Sequence, residues 1–141
     1  MDALPRTPED AVRIYDEAFN TRDWDLLTRL VVPEMRVDDR RTGIASTLEG
    51  AEAHVANHRS WVELVPDVQG HSEILHAAGD RVTLWRTTYN GTDGYGNPIE
   101  VSILVVNEWT RGPEGALVSS SGAVFEDAQR GDAFDEFRRR T

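Results

Sequence analysis

Two histidines one helical turn apart, His54 and His58, have the spacing that a shared metal ion would need. A third ligand at a defined spacing is missing, so they read as helix histidines and no metal is expected. Asp39 carries more chemical promise. Side chains alternate along a strand, so Met35, Val37, Asp39 and Arg41 share one face of the segment Glu34 to Arg41, and Arg36, Asp38 and Arg40 share the other. A carboxylate on the apolar face must pair with a cation such as Arg41 or Arg86, or hold its proton unusually tightly, which is the property of an acid/base group. Tyr15 lies on the inward stripe of the first helix, where a phenol donates a hydrogen bond. Arg86 shares a strand face with Val82 and Leu84 and would suit an anionic or carbonyl group, or a structural pair with Asp39 or Glu100. The triplet Ser119 to Ser121 has no Gly-x-Ser-x-Gly elbow around it and reads as a strand of small residues.

The elements that must position these groups come in a simple order. Thr7 caps a first helix through Asn20, with Pro8 at its first position and Glu9 and Asp10 at the positive end of its dipole. A short helix, Asp23 to Leu30, stops before Pro33, and the strand holding Asp39 follows. Ala51 to Val65 predicts a third helix. Sheet is predicted from there: Ser72 to His76, Arg81 to Tyr89, Ile99 to Thr110 and Ala116 to Phe125, punctuated by the turns Asn90 to Pro98 and Gly112 to Gly115. A last helix is expected over Asp127 to Arg140, its arginines facing the negative end of the dipole. Trp61, Trp85, Trp109 and Tyr89 are large groups for a pocket wall or a subunit interface. With Val82 and Leu84 turned to the pocket, Trp85 and Tyr89 would face outward, which predicts a homodimer through the sheet.

The 141 residues, 39% of them hydrophobic, suffice for a single domain with a sizeable core. Cysteine is absent, which excludes disulfides, thiolate metal sites and cysteine catalysis. The start of the chain lacks the apolar core of a signal peptide, and no stretch approaches the roughly 18 apolar residues of a membrane span, so a cytoplasmic location is expected. The net charge of -10 argues against nucleic acid and anionic membranes as partners.

Helices followed by a meandering sheet is the order of an α+β domain. The order of elements, the Asn20-Thr-Arg-Asp23 joint and the Val37-Asp-Asp39 strand resemble the NTF2-like superfamily, which includes ketosteroid isomerases and SnoaL-like polyketide cyclases. Val37 to Arg41, Val65-Pro-Asp67 and Pro98-Ile-Glu-Val101 are most similar to SnoaL-like domains. The resemblance implies a cone in which a curved antiparallel sheet and N-terminal helices enclose one apolar pocket. It also implies a cofactor-independent enzyme acting on a small hydrophobic carbonyl compound, of polyketide cyclase or isomerase type; the alternative is a non-catalytic ligand-binding or dimerisation module. By register with ketosteroid isomerases, Asp39 would shuttle the proton while Tyr15 donates to the developing oxyanion. Ser102 would stand where those enzymes carry a second acid, His58 would lie behind Tyr15, and Trp61 and Arg86 would contact the ligand. An epoxide-hydrolase-like arrangement is a minor alternative: Arg86 fits its arginine, but Thr88, Ser120 and Gly122 stand where its other groups belong.

Overall fold

The computed structural model describes residues 4–43 and 46–141; the first three of the opening residues read above for a signal peptide lie outside that range. Helix α1, Pro8–Asn20, begins where the Thr7 hydroxyl accepts the Asp10 amide at 3.2 Å. Helix α2, Trp24–Arg29, starts at Asp23, whose carboxylate accepts the Leu26 amide. Between them Arg22 takes a left-handed conformation at φ 61°. Its guanidinium holds that bend by donating to the carbonyls of Phe19, Pro66 and Val68. Ala18, Leu26, Leu27, Leu30 and Val55 then bury α1 and α2 against α3, Ala51–Leu64.

Among the described residues six strands form one sheet: β1 Val31–Asp39, β2 Ser46–Glu49, β3 Gln69–Ala78, β4 Val82–Thr92, β5 Pro98–Arg111 and β6 Leu117–Glu126. Their order is β2-β1-β6-β5-β4-β3, antiparallel throughout except that β1 runs parallel to β6. Strand β1 starts three residues before the expected Glu34. It passes through Pro33, which lacks a ladder donor, and its register with β6 shifts between Val31 and Arg36. Strand β2 was not foreseen, since its four exposed or half-buried residues carry no alternating pattern. The β4–β5 ladder continues to Thr92 and Pro98, so the long expected turn shrinks to five residues around Asp93, whose carboxylate accepts the amides of Tyr95 and Asn97. A Cβ at Gly91 would stand 2.5 Å from Val65, so glycine there lets the end of α3 close on β4.

The two faces of the sheet have different covers. Trp85, Trp109 and Leu117 pack beneath Ala11 and Val12 of α1 on the concave face. On the convex face Val82, Leu84, Leu104, Val106, Ala123 and Phe125 meet Ala133 and Phe137 of the last helix, α4, Arg130–Arg140. That helix begins three residues later than expected, after a single turn capped by Glu126 and Gln129. The face carrying Val82 and Leu84 is therefore the outer one, and Trp85 and Tyr89 point inward. The dimer expectation loses the outward aromatic pair on which it rested.

Candidate active site

The concave face, α1 and α3 enclose a cavity of about 100 Å³. Its lining is mainly aliphatic and aromatic, including Phe19, Met35, Val37, Trp61, Val101 and Ile103. Alternation along β4 brings Trp85, Thr87 and Tyr89 to it, and alternation along β5 brings Val101, Ile103, Val105, Asn107 and Trp109. Polar groups interrupt this apolar wall at several points.

The first is built on the facing turns of α1 and α3. The Tyr15 hydroxyl sits between two imidazoles, hydrogen-bonded to His54 Nε2 and 3.2 Å from His58 Nε2. His58 Nδ1 stands 2.9 Å from the His54 carbonyl oxygen, an acceptor only, so Nδ1 carries the proton and Nε2 is left to accept from Tyr15. Burial pushes the Tyr15 phenol well above its ordinary value, with Tyr89 and Asp16 adding to the effect, so it remains a protonated donor. Burial also lowers both histidines, His54 to about 3 with a further contribution from His58. At neutral pH all three groups are uncharged. The histidines' Nε2 atoms therefore converge on a phenol, and among the described residues no cluster of three or more metal-ligating side chains forms.

The second group is Asp39 with Arg41. Arg41 Nε reaches Asp39 Oδ1 at 2.9 Å and its Nη2 reaches Oδ2 at 2.6 Å, a bidentate clasp at the end of β1 with both side chains largely buried. Both line the cavity. The clasp engages both carboxylate oxygens of Asp39. The third is Asp16, the residue after Tyr15. Its Oδ2 accepts the Ser72 amide and its Oδ1 the Ser72 hydroxyl, each at 2.7 Å. Burial raises the Asp16 carboxyl above the usual aspartate value, against the opposing pull of the Ser72 hydrogen bonds and of His71. At another part of the lining Asn107, 2% exposed, accepts the Ser119 hydroxyl at 2.5 Å.

The expected site residues thus separate. Tyr15, Asp39, His58 and Trp61 all line the cavity, and Trp61 stacks on Tyr89 with ring planes 6° apart. Arg86 and Ser102 do not reach it. Arg86 lies on the convex face, held by Asp127 at 2.9 Å and Glu73 at 3.0 Å. Ser102 is on the same side, with its hydroxyl 3.0 Å from that of Thr88. Strand alternation puts Val101 and Ile103 in the cavity where a second acid would have to stand, and it removes Arg86 from any epoxide-hydrolase-like arrangement.

Asp16, His54, Tyr89 and Asn107 were not among the expected site residues. For Asp16 a signal exists: Val12, Asp16 and Phe19 fall on one stripe of α1, so a carboxylate interrupts an apolar face. Asn107 is the polar exception among Val101, Ile103, Val105 and Trp109, but only if the inner parity of β5 is already known.

Comparison with known proteins agrees with this architecture. A ketosteroid isomerase-like fold from Catenulispora acidiphila superimposes with TM-score 0.65 at 18% identity, covering 84% of this chain and 85% of its own. An NTF2-like protein of unknown function from Burkholderia pseudomallei gives TM-score 0.64 at 16% identity, with coverage of 94% and 96%. A ketosteroid isomerase-like protein from Erwinia carotovora gives TM-score 0.62 at 14% identity, with coverage of 84% and 92%. No curated protein matches the sequence. Residues 9–112, well over half the chain, match the model of the SnoaL-like polyketide cyclases. The chain belongs to the SnoaL-like polyketide cyclase family and has the NTF2-like fold.

Proposed function

We propose that this protein is a cofactor-independent cytoplasmic enzyme that binds a small hydrophobic carbonyl compound, of polyketide or steroid type, and isomerises or cyclises it by proton transfer. The observation that carries the reading is the Tyr15 hydroxyl, a neutral donor fixed between two neutral imidazoles at the wall of an apolar cavity that also holds carboxylates. An incoming carbonyl oxygen takes over the hydrogen bond now made to His58 at 3.2 Å, the longer of the two. Negative charge that develops on that oxygen during enolisation is then met by a donor already in place. The Asp39–Arg41 pair fixes one polar point of the lining and orients the ligand against it. A homodimer through the convex face around Arg86, Thr88 and Ser102 belongs to the same proposal and is read by sedimentation velocity.

A thermal-shift and turnover screen of cyclic ketones, aromatic polyketides and steroid enones tests the reading on the parent and on Tyr15→Phe. Ligands should stabilise both proteins, and loss of the oxyanion donor should lower turnover by about 10²-fold or more. The second reading, a non-catalytic binding module, is favoured by the clasp of Arg41 on Asp39. Stabilisation of the parent by several ligands with conversion of none would establish it.

A further inference from the structure

We propose that Asp16, on helix α1 beside Tyr15, is the carboxylate that takes the proton from the ligand and returns it; the proposal rests on the enzyme reading above. Three features of its surroundings assign this role. Asp16 lines the cavity, and unlike Asp39 it is not clasped by a guanidinium: its hydrogen-bond partners among the described residues are the amide and hydroxyl of Ser72.

The hydrogen bonds behind it run in one direction. Trp85 Nε1 donates to Thr87 Oγ1 at 2.9 Å. The Ser72 hydroxyl gives its proton to the carboxylate, so it accepts from Thr87, 2.7 Å away. Every donor in the chain points toward Asp16. The carboxylate is therefore fixed in orientation by neutral groups, with lone pairs left over for a ligand.

The edge of the sheet does not require a charge there. One turn further along α1, Asn20 performs the same task for β3: its Oδ1 accepts the Gly70 amide at 2.7 Å and its Nδ2 donates to the Gly70 carbonyl at 2.9 Å. A neutral amide suffices to tie α1 to that edge strand. At position 16 the tie is made by an ionisable group in a place that penalises its charge, the condition under which a carboxylate becomes an effective base near neutral pH. The groups that face it are the phenols of Tyr15 and Tyr89 and the imidazole of His71, with Arg41 acting on Tyr89 from the end of β1.

The step balances without a co-reactant. The C–H pair next to the ligand carbonyl becomes a carbon–carbon double bond, the carbonyl pair moves to oxygen under the Tyr15 hydroxyl, and the proton passes to an Asp16 oxygen. Its return to the γ-carbon of a β,γ-unsaturated ketone gives the conjugated isomer, and exchange with solvent before its return to the same carbon labels the ketone.

Deuterium incorporation from D2O into 2-tetralone, followed by NMR, reads this step directly. The parent should exchange the α-protons above the buffer rate, and Asp16→Asn should lower the maximal rate about 100-fold. Asp39→Asn should chiefly raise the ketone concentration needed for half-saturation. Because Asp16→Asn also disturbs the hydrogen-bond chain, Ser72→Ala supplies a second arm that keeps the carboxylate and removes one donor to its charged form. Its rate profile should keep its shape and move its midpoint to higher pH. Parental exchange by Asp16→Asn, or a midpoint that Ser72→Ala leaves in place, overturns the proposal; loss confined to Asp39→Asn would do so while leaving the enzyme reading intact. Absence of exchange by the parent removes the enzyme reading and this assignment with it.

Discussion

Charge is buried on both sides of the sheet, and the two sides treat it in opposite ways. On the convex side Glu136, 4% exposed, is hydrogen-bonded by Arg40, Arg139 and Arg140, and Arg140 continues to Glu108 at 2.8 Å and to the Ser121 hydroxyl. Burial alone would raise the Glu136 carboxyl, but its three arginine partners hold it at about 2. On the concave side the hydrogen-bond partners of Asp16 among the described residues are neutral, and His54 and His58 are kept uncharged by burial. Ion pairs to both Glu136 oxygens, continued by Arg140 to Glu108, tie α4 to the sheet. Groups whose proton affinity burial has shifted, beside a cavity, retain chemistry that the fold does not consume.

That contrast is broken most severely at Glu136. Replacement by Gln removes the carboxylate charge that three guanidinium groups share, and urea denaturation should show a loss of about 3 kcal/mol, the low end for a buried pair because Arg40 and Arg139 keep contact with water. Ligand-induced thermal shifts should persist wherever the variant is folded. Tyr15→Phe tests the concave side. The turnover loss expected above is accompanied by a stability change of about 1–3 kcal/mol, since two buried imidazoles lose their shared partner.

Acid pH separates the two faces without mutation. The histidines have lowered values in the folded protein, so their contribution is fully present above the ordinary 6.5 and falls as the pH falls, toward about 3 for His54. Each contributes a slope of about 1.4 kcal/mol per pH unit while the unfolded chain alone takes up the proton. Glu136 begins to lose its contribution only below the ordinary 4.5, and Asp16, being raised, acts in the opposite sense. Denaturation midpoints between pH 6.5 and 4.5 should therefore fall in the parent and fall less in His54→Leu. The smallest effect belongs to Arg86→Ala. With Glu73 60% and Asp127 41% exposed, stability should change by less than about 1 kcal/mol and ligand shifts should be unaffected.

The same two-sidedness explains which parts of the structure could be read from the chain. Strand β1 has one apolar face, so alternation correctly grouped Met35, Val37, Asp39 and Arg41, all of which line the cavity. Helix α1, with its cap, proline and apolar stripe, was legible for the same reason. Strands β4 and β5 are apolar on both faces because α4 covers the convex one, so the sequence pattern alone does not distinguish Val82 and Leu84 from Trp85 as the inward residues. The observed parity puts Arg86 on the convex face, and the register of β5 with β4 puts Ser102 on that face opposite Thr88. The histidine–tyrosine contact depends on the approach of α1 to α3, and the Asp16–Ser72 contact on the approach of α1 to the edge strand; neither distance is encoded in local spacing.

Proton transfer to and from a hydrophobic ketone in the concave cavity is tested most directly by incubating the protein with 2-tetralone in D2O and following its melting temperature and the ketone's α-proton signals in one buffer. Stabilisation together with α-proton loss faster than the buffer rate, slowed by Tyr15→Phe, is the predicted result. Stabilisation with exchange at the buffer rate would contradict it and would make the cavity a binding site alone.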